Sequence, residues 1–483
     1  MLFVVKTFGN FHSDSIQDLR QKTEERESGT GRKCANKRGK SMKPEKQTLR
    51  QNRIRVLQVL AVTVTVIVGF QNCGQMSAKQ GLNAFSDSSV SQPSGAGPVA
   101  TPPPTQITPT VIPPIPSGNT SGMLPALLAS QAPGNIVGMP DPTVTGRKIQ
   151  ICPAGCTYNN LSGAMAGVID GDTIEIAYGD YIDCANISAN NLIIRGISDA
   201  QGRKPHFHDK VCGRKGILVV SGSNTLIDNL EISHAQDTGF GDYNWAGIRF
   251  DTVPGAANLK VRNCYFHDDD DGILGTNQPA TQNILDIQNN VFFHCGRAGY
   301  AHGMYIGAGI THLILRNNVV SSNVDDGHLV KTRALNGLIE CNTIESLNGF
   351  NSFAIDIPQG GNYLVRGNTI ENGPNIKNSS NFIIKFAGEN ANNSPHKLQL
   401  IDNYIVNDYT VAGLMFFMTP TDTSGWSSNT YAGSGGALTF SGSFSSATAG
   451  DSFKNYPSRA AATLKPFDGT DASLPPHPVC LTN

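Results

Sequence analysis

Between residues 225 and 406 the chain alternates apolar and polar positions in short runs, and each run breaks at an Asn before a second run begins. The units read TLIDNLEI, LKVRNCYF, LDIQNNVFF, LILRNNVVS, LIECNTIE, YLVRGNTIE and LQLIDNYIV, with Asn229, Asn263, Asn290, Asn318, Asn342, Asn368 and Asn403 at the break. Period-2 alternation predicts strands with one buried face. The same order returning every 24 to 35 residues predicts a solenoid of stacked coils, that is, an all-β parallel β-helix. At a sharp corner between two strands one residue must enter the left-handed region, and Asn tolerates this better than any residue but Gly. Stacked Asn amides can also bond to one another, since each carries donors and an acceptor.

Each unit continues into a third strand: Gly247 to Phe250, Gly272 to Leu274, Gly303 to Ile306, His328 to Arg333, Ala354 to Ile357 and Ile383 to Phe386. Alternation sends Ile248, Phe250, Ile273, Met304, Ile306, Ile355, Ile357, Ile384 and Phe386 inward, and Arg249, Tyr305, Asp356 and Lys385 outward. In the fourth strand energy chooses the register. Burying Lys331 and Arg333 unpaired costs several kcal/mol, far more than exposing one leucine, so both cations face out and His328 and Val330 face in. Coils stack about 4.8 Å apart, so the row from Arg249 to Lys385 extends over about 24 Å, the length of several sugar units.

The start of the chain has a different pattern. Residues 1–41 are polar and without periodicity, and read as disordered or, if the chain starts at Met42, untranslated. From Met42, a basic stretch (Lys43, Lys46, Arg50, Arg53, Arg55) precedes the apolar run Val56 to Phe70 and then Cys73. This resembles a bacterial lipoprotein signal peptide, which implies lipidation of Cys73 and a membrane-anchored protein of the cell envelope. An uncleaved membrane anchor is the alternative reading, and either exports the remainder. Residues 73–146 are rich in Pro, Ser and Thr and predict an extended linker. Structure is expected from Arg147, with Leu161 to Ile169 as a short helix capping the first coil, a β-helix over 147–418 and a capping region over 419–483.

Charge is unevenly placed. Residues 1–72 carry 14 Lys and Arg against 6 Asp and Glu, leaving 23 against 32 from Cys73 onward, a net of −9. That balance argues against nucleic acid as a partner and requires a locally basic groove for a polyanionic one.

The segments DGDTIEIAYGDY, DDDDGILG (Asp268 to Gly275), HGMYIG, GHLVKTRA and IDIPQGG (Ile355 to Gly361) resemble right-handed parallel β-helix repeat proteins of the pectate-lyase-like superfamily over about residues 150 to 420. Gly303 stands where such strands carry Asn. The resemblance implies a right-handed fold that hosts polysaccharide lyases, hydrolases and epimerases, and fold alone does not choose among them.

A polysaccharide is the partner the stripe suggests. β-Elimination on a uronate-containing glycan needs a base, a positive charge for the enolate-like anion and an acid for the leaving oxygen. Lys331 is the candidate base, with the Arg333 charge beside it disfavouring its own; Arg333 stabilises the anion, and Tyr305 or His302 is the acid. Arg249, Lys385 and His328 are candidate substrate contacts. Asp268 and Asp269, or Asp325 and Asp326, offer the oxygen ligands that Ca²⁺ takes, although acidic turns are more often solvated surface. A glycoside hydrolase needs two carboxyls, here Asp356 with Asp325 or Asp326. A non-catalytic module that binds glycan or adheres through the same stripe is the third reading. Export permits disulfides, first Cys152 with Cys156 and next Cys184 with Cys212, whereas Cys264 and Cys341 read as small core residues.

Overall fold

The computed structural model describes residues 138–144, 146–251, 258–275 and 283–444, and the backbone of 453–455. The signal-like segment with Cys73, most of the linker and the tail beyond 455 lie outside these residues. Alternation along the chain produces three parallel sheets. Sheet 1 runs from Lys148–Ile151 to Lys397–Ile401 in ten strands, sheet 2 from Asp180–Tyr181 to Phe453–Asn455 in eleven, and sheet 3 from Ala185–Ile187 to Thr439–Phe444 in ten. Every strand pairs with the equivalent strand one coil away, which makes the described residues a parallel β-helix. Inward residues form register rows. In sheet 1, Ile227, Val261, Ile287, Leu315, Ile339 and Val365 stack in line, all fully buried. In sheet 2, Phe207, Ile232, Phe266, Phe292 and Val320 do the same.

The corners divide the work expected of one Asn between two residues. Only Asn229 (φ 60°) and Asn263 (φ 55°) occupy the left-handed region themselves; in later coils the preceding residue does, namely Asn289, Asn317, Cys341, Gly367 and Asp402. The Asn that follows points inward and builds a buried ladder. Asn342 Nδ2 donates to Asn368 Oδ1 (3.0 Å) and to the Leu315 carbonyl (2.9 Å), while its Oδ1 accepts from Asn318 N (2.9 Å) and Asn318 Nδ2 (3.0 Å). The ladder runs through Asn290, Asn318, Asn342, Asn368 and Asn403 to Asn429. In the two earlier coils its place is taken by Leu230 and Cys264.

A helix, α1 (Leu161–Met165), is shorter than the run to Ile169 suggested. Asn160 caps it by accepting from Gly163 N, and Leu161 and Ala164 are buried beneath it. At the other end, coils continue past residue 418: strand Leu414–Thr421 pairs with Thr439–Phe444, and Asn429 extends the ladder. Disulfides Cys152–Cys156 and Cys184–Cys212 form as expected. Cys264 is free and buried, and its burial pushes the thiol up to about 12. Cys341, expected as a core thiol, is instead disulfide-bonded and only partly buried, at the left-handed corner (φ 59°).

Residues 138–141 lie across the outside of sheet 1. Met139 packs with Ile284, Ile314, Leu338 and Leu364, and its N–H donates to the buried Asp286 (2.7 Å). Lys260 donates to the Met139 carbonyl (2.7 Å) and to Asp141 (2.9 Å), which also takes Arg262 (2.9 Å).

Candidate functional site

The outward row of sheet 3 holds Arg249, Leu274, Tyr305, Lys331, Asp356 and Lys385 in direct register on successive coils. Their inward neighbours Ile248, Met304, Val330, Thr332, Ile355 and Ile384 are fully buried, which fixes the direction of each side chain. Lys331 and Arg333 therefore face out, but neighbours crowd them and their side chains keep only 13% and 15% exposure. Thr332 hydroxyl pairs with the buried Tyr363 hydroxyl (3.1 Å), which donates to the Ala334 carbonyl (2.7 Å) and so anchors this strand from inside.

Two departures from simple alternation shape the site. The strand spans only Val330–Thr332, so alternation does not extend back to His328. Instead of facing inward, the His328 ring turns to the same side as Lys331, with Nε2 3.4 Å from Asp356 Oδ2. It stacks on His302 (ring centroids 4.8 Å apart) and on Phe353 (4.4 Å), and the row continues through Phe382. His302 joins the group: its N–H donates to Asp271 Oδ1 (2.8 Å), its Nδ1 accepts from His328 N (3.0 Å), and its ring meets Tyr305 edge-on at 5.3 Å. Close stacking here requires Gly303, because a Cβ at that position would lie 2.4 Å from the Leu329 carbonyl.

Asp356, expected in solvent, lies beneath the cations at 1% exposure, covered by His328 and Lys331 (Nζ to Oδ2 3.8 Å). Burial raises its pKa against the opposing pull of Lys331 and Lys385. The carboxylate at the surface of the site is Glu389, which the strand pattern missed because it sits in a turn. Its backbone N–H donates to Pro358 O, and Asn393 Nδ2 ties the same turn to the carbonyls of Arg333, Ala334 and Gly360. Glu389 Oε2 thereby reaches Arg333 Nη2 at 2.7 Å, and Oε1 lies 3.7 Å from Lys331 Nζ. Burial pushes the Glu389 carboxyl up, but Lys331 and Arg333 together hold it below the usual range. Arg333 Nε donates to the Tyr305 hydroxyl (2.9 Å). Burial, reinforced by the nearby cations, holds both His302 and His328 well below the ordinary imidazole range, so both rings are neutral at pH 7.

The acidic turns are placed differently. Asp269 is buried rather than solvated and accepts from Ala235 N; Asp268 faces His267 and His294. Asp325 pairs with Lys377 and Asp326 accepts from Ser352, so neither supplies the second carboxyl beside Asp356. Lys385 lies over the Phe353 and Phe382 rings (5.5 and 5.9 Å). Arg249 is half-buried, within the electrostatic reach of Asp271.

Residues 154–320 match the family described as right handed beta helix region. The match agrees in fold with the three parallel sheets wound coil on coil. Among solved structures the chain is similar to pectate lyase Pel9A, at 15% identity over 72% of this chain and 88% of that one, with a TM-score of 0.41. It is also similar to the A-module of the Azotobacter vinelandii mannuronan C-5 epimerase AlgE6 (14% identity, 65% and 89% covered, TM-score 0.36). A third is the PL6 family alginate lyase AlyGC (13%, 67% and 41%, TM-score 0.35). No curated protein matches the chain.

Proposed function

We propose that the protein binds an acidic, uronate-containing polysaccharide along the outer row of sheet 3 and cleaves it by β-elimination. One observation carries this reading: Arg333 and Lys331 already share a carboxylate, that of Glu389, which lies on a turn and is more exposed than either cation. A sugar carboxylate displacing Glu389 meets the same two cations, and the row supplies further contacts at Lys385 and Arg249. Arg333 then neutralises the carboxylate and stabilises the enolate-like anion. Lys331 passes its proton to Asp356, the carboxyl whose burial favours the protonated form, and takes the proton from the carbon next to the sugar carboxylate. The electron pair forms a carbon–carbon double bond as the adjacent carbon–oxygen bond breaks. Tyr305, whose lone pair is occupied by Arg333, gives its proton to the leaving oxygen.

Incubation with polygalacturonate or alginate should raise ultraviolet absorbance, because elimination leaves a conjugated double bond, and a Lys331→Ala, Arg333→Ala double variant should lose that rise. Reducing ends without absorbance would transfer the reaction to hydrolysis by Asp356 and Glu389, whose environments push their pKa values apart. Binding without either product would leave a glycan-binding or adhesion module acting through the same row. The site of action in this reading is the cell envelope, reached through lipidation at Cys73; the Cys152–Cys156 and Cys184–Cys212 disulfides are consistent with an oxidising compartment. Cys73→Ser should release the protein from the membrane fraction, and unchanged fractionation would argue against lipidation.

A further inference from the structure

Sheet 2 carries a second cluster, on a different sheet from the proposed glycan row. Strands His206–His208, Glu231–Ser233 and Tyr265–His267 pair in register on successive coils, and their central residues Phe207, Ile232 and Phe266 are fully buried. Alternation therefore turns His206, Glu231 and His267 outward together. Each offers a ligand atom, and the three atoms lie within 4.8 Å of one another. His267 Nε2 is already 3.2 Å from Glu231 Oε1. Tetrahedral zinc bonds of about 2.0–2.2 Å place ligand atoms about 3.3 Å apart, so closure on an ion needs only small side-chain movements.

We propose that His206, Glu231 and His267 form a binding site for a divalent transition metal ion of the zinc class, with the fourth position left to water. Two imidazoles and one carboxylate are a donor set that suits zinc, and three protein ligands leave a position open. An outer group is in place to orient one ligand: Asp268 Oδ2 lies 2.9 Å from His267 Nδ1, which directs Nε2 to the ion. All three side chains are partly exposed, at 21%, 28% and 16%, so an ion reaches them without opening the coil.

The test uses the full-length protein, stripped by chelator and titrated with Zn²⁺ alone at neutral pH, with calorimetry and metal content after dialysis as readouts. The expected result is one zinc per chain bound at this site. His206→Ala and His267→Ala should each weaken that binding by about 10-fold or more and remove the zinc-dependent rise in melting temperature. Absence of binding to the wild-type protein, or equal binding by the His206→Ala, His267→Ala double variant, would overturn the proposal. Should a variant fail to fold, Co²⁺ added to the wild-type protein decides: an intense visible spectrum of four-coordinate cobalt supports the site, and a weak six-coordinate spectrum rejects it.

Discussion

Asp271 and Asp356 are acids that the fold holds where ionisation is disfavoured. Asp271 is fully buried, with Oδ1 accepting from His302 N and Oδ2 without a hydrogen bond, and burial raises its pKa well above the ordinary value. A raised folded pKa means that the contribution to stability is fully present below the unfolded value, about 3.9, and is lost as pH rises through the folded value. Asp271→Asn keeps the acceptor and removes the ionisation. It should melt above wild type at pH 8 and level with it at pH 3.5; an equal difference at both pH values would show that this carboxyl does not titrate in the fold. Lys331 is less free than its outward direction suggests, because it is the nearest cation to the buried Asp356. Lys331→Ala should cost about 1–3 kcal/mol at neutral pH in denaturant unfolding, and Asp356→Asn in the same chain should recover most of it. Additive losses would mean that the two side chains are not coupled.

At the scale of strands and corners, the pattern of apolar residues identified nearly every element that places the row, since period-2 alternation is set by the same geometry that buries alternate side chains. It went wrong where the chain leaves a strand. His328 precedes Val330–Thr332, so its direction is set by stacking on His302 and Phe353 rather than by alternation. Glu389 reaches Arg333 through a turn held by Asn393, and no periodic signal marks a residue brought in that way. In sequence the corner Asn reads as doing two jobs at once, because Asn-Asn pairs at 289–290 and 317–318 conceal which residue does which. The structure separates them, and the energies should differ. Asn342→Ala leaves the Asn318 N–H, the Asn318 amide and the Leu315 carbonyl without their buried partner and should cost about 2–4 kcal/mol. Asn317→Ala, at an exposed left-handed position (φ 55°), should cost about 1 kcal/mol. Similar losses in denaturant unfolding would show that the ladder is no stronger than the corner.

Across the whole molecule, a stack of parallel strands has open ends, and the N-terminal one is closed by α1, which packs over strands Lys148–Ile151 and Ala185–Ile187. Leu161, fully buried there, is the plug. Leu161→Asp should expose apolar surface and a strand edge together, giving concentration-dependent association in sedimentation velocity; a monomer with wild-type melting would mean that the cap is dispensable.

The short segment pinned by Lys260, Arg262 and Asp286 determines how this molecule would carry a load. A chain attached only at its first strand would transmit a pull to Lys148–Ile151 and peel the coils from the end, one row of hydrogen bonds at a time. With Met139 and Asp141 fastened to strands more than a hundred residues further along, tension arriving through residue 138 is shared first by the flank of the stack, and several contacts must yield together before the first coil bears any of it.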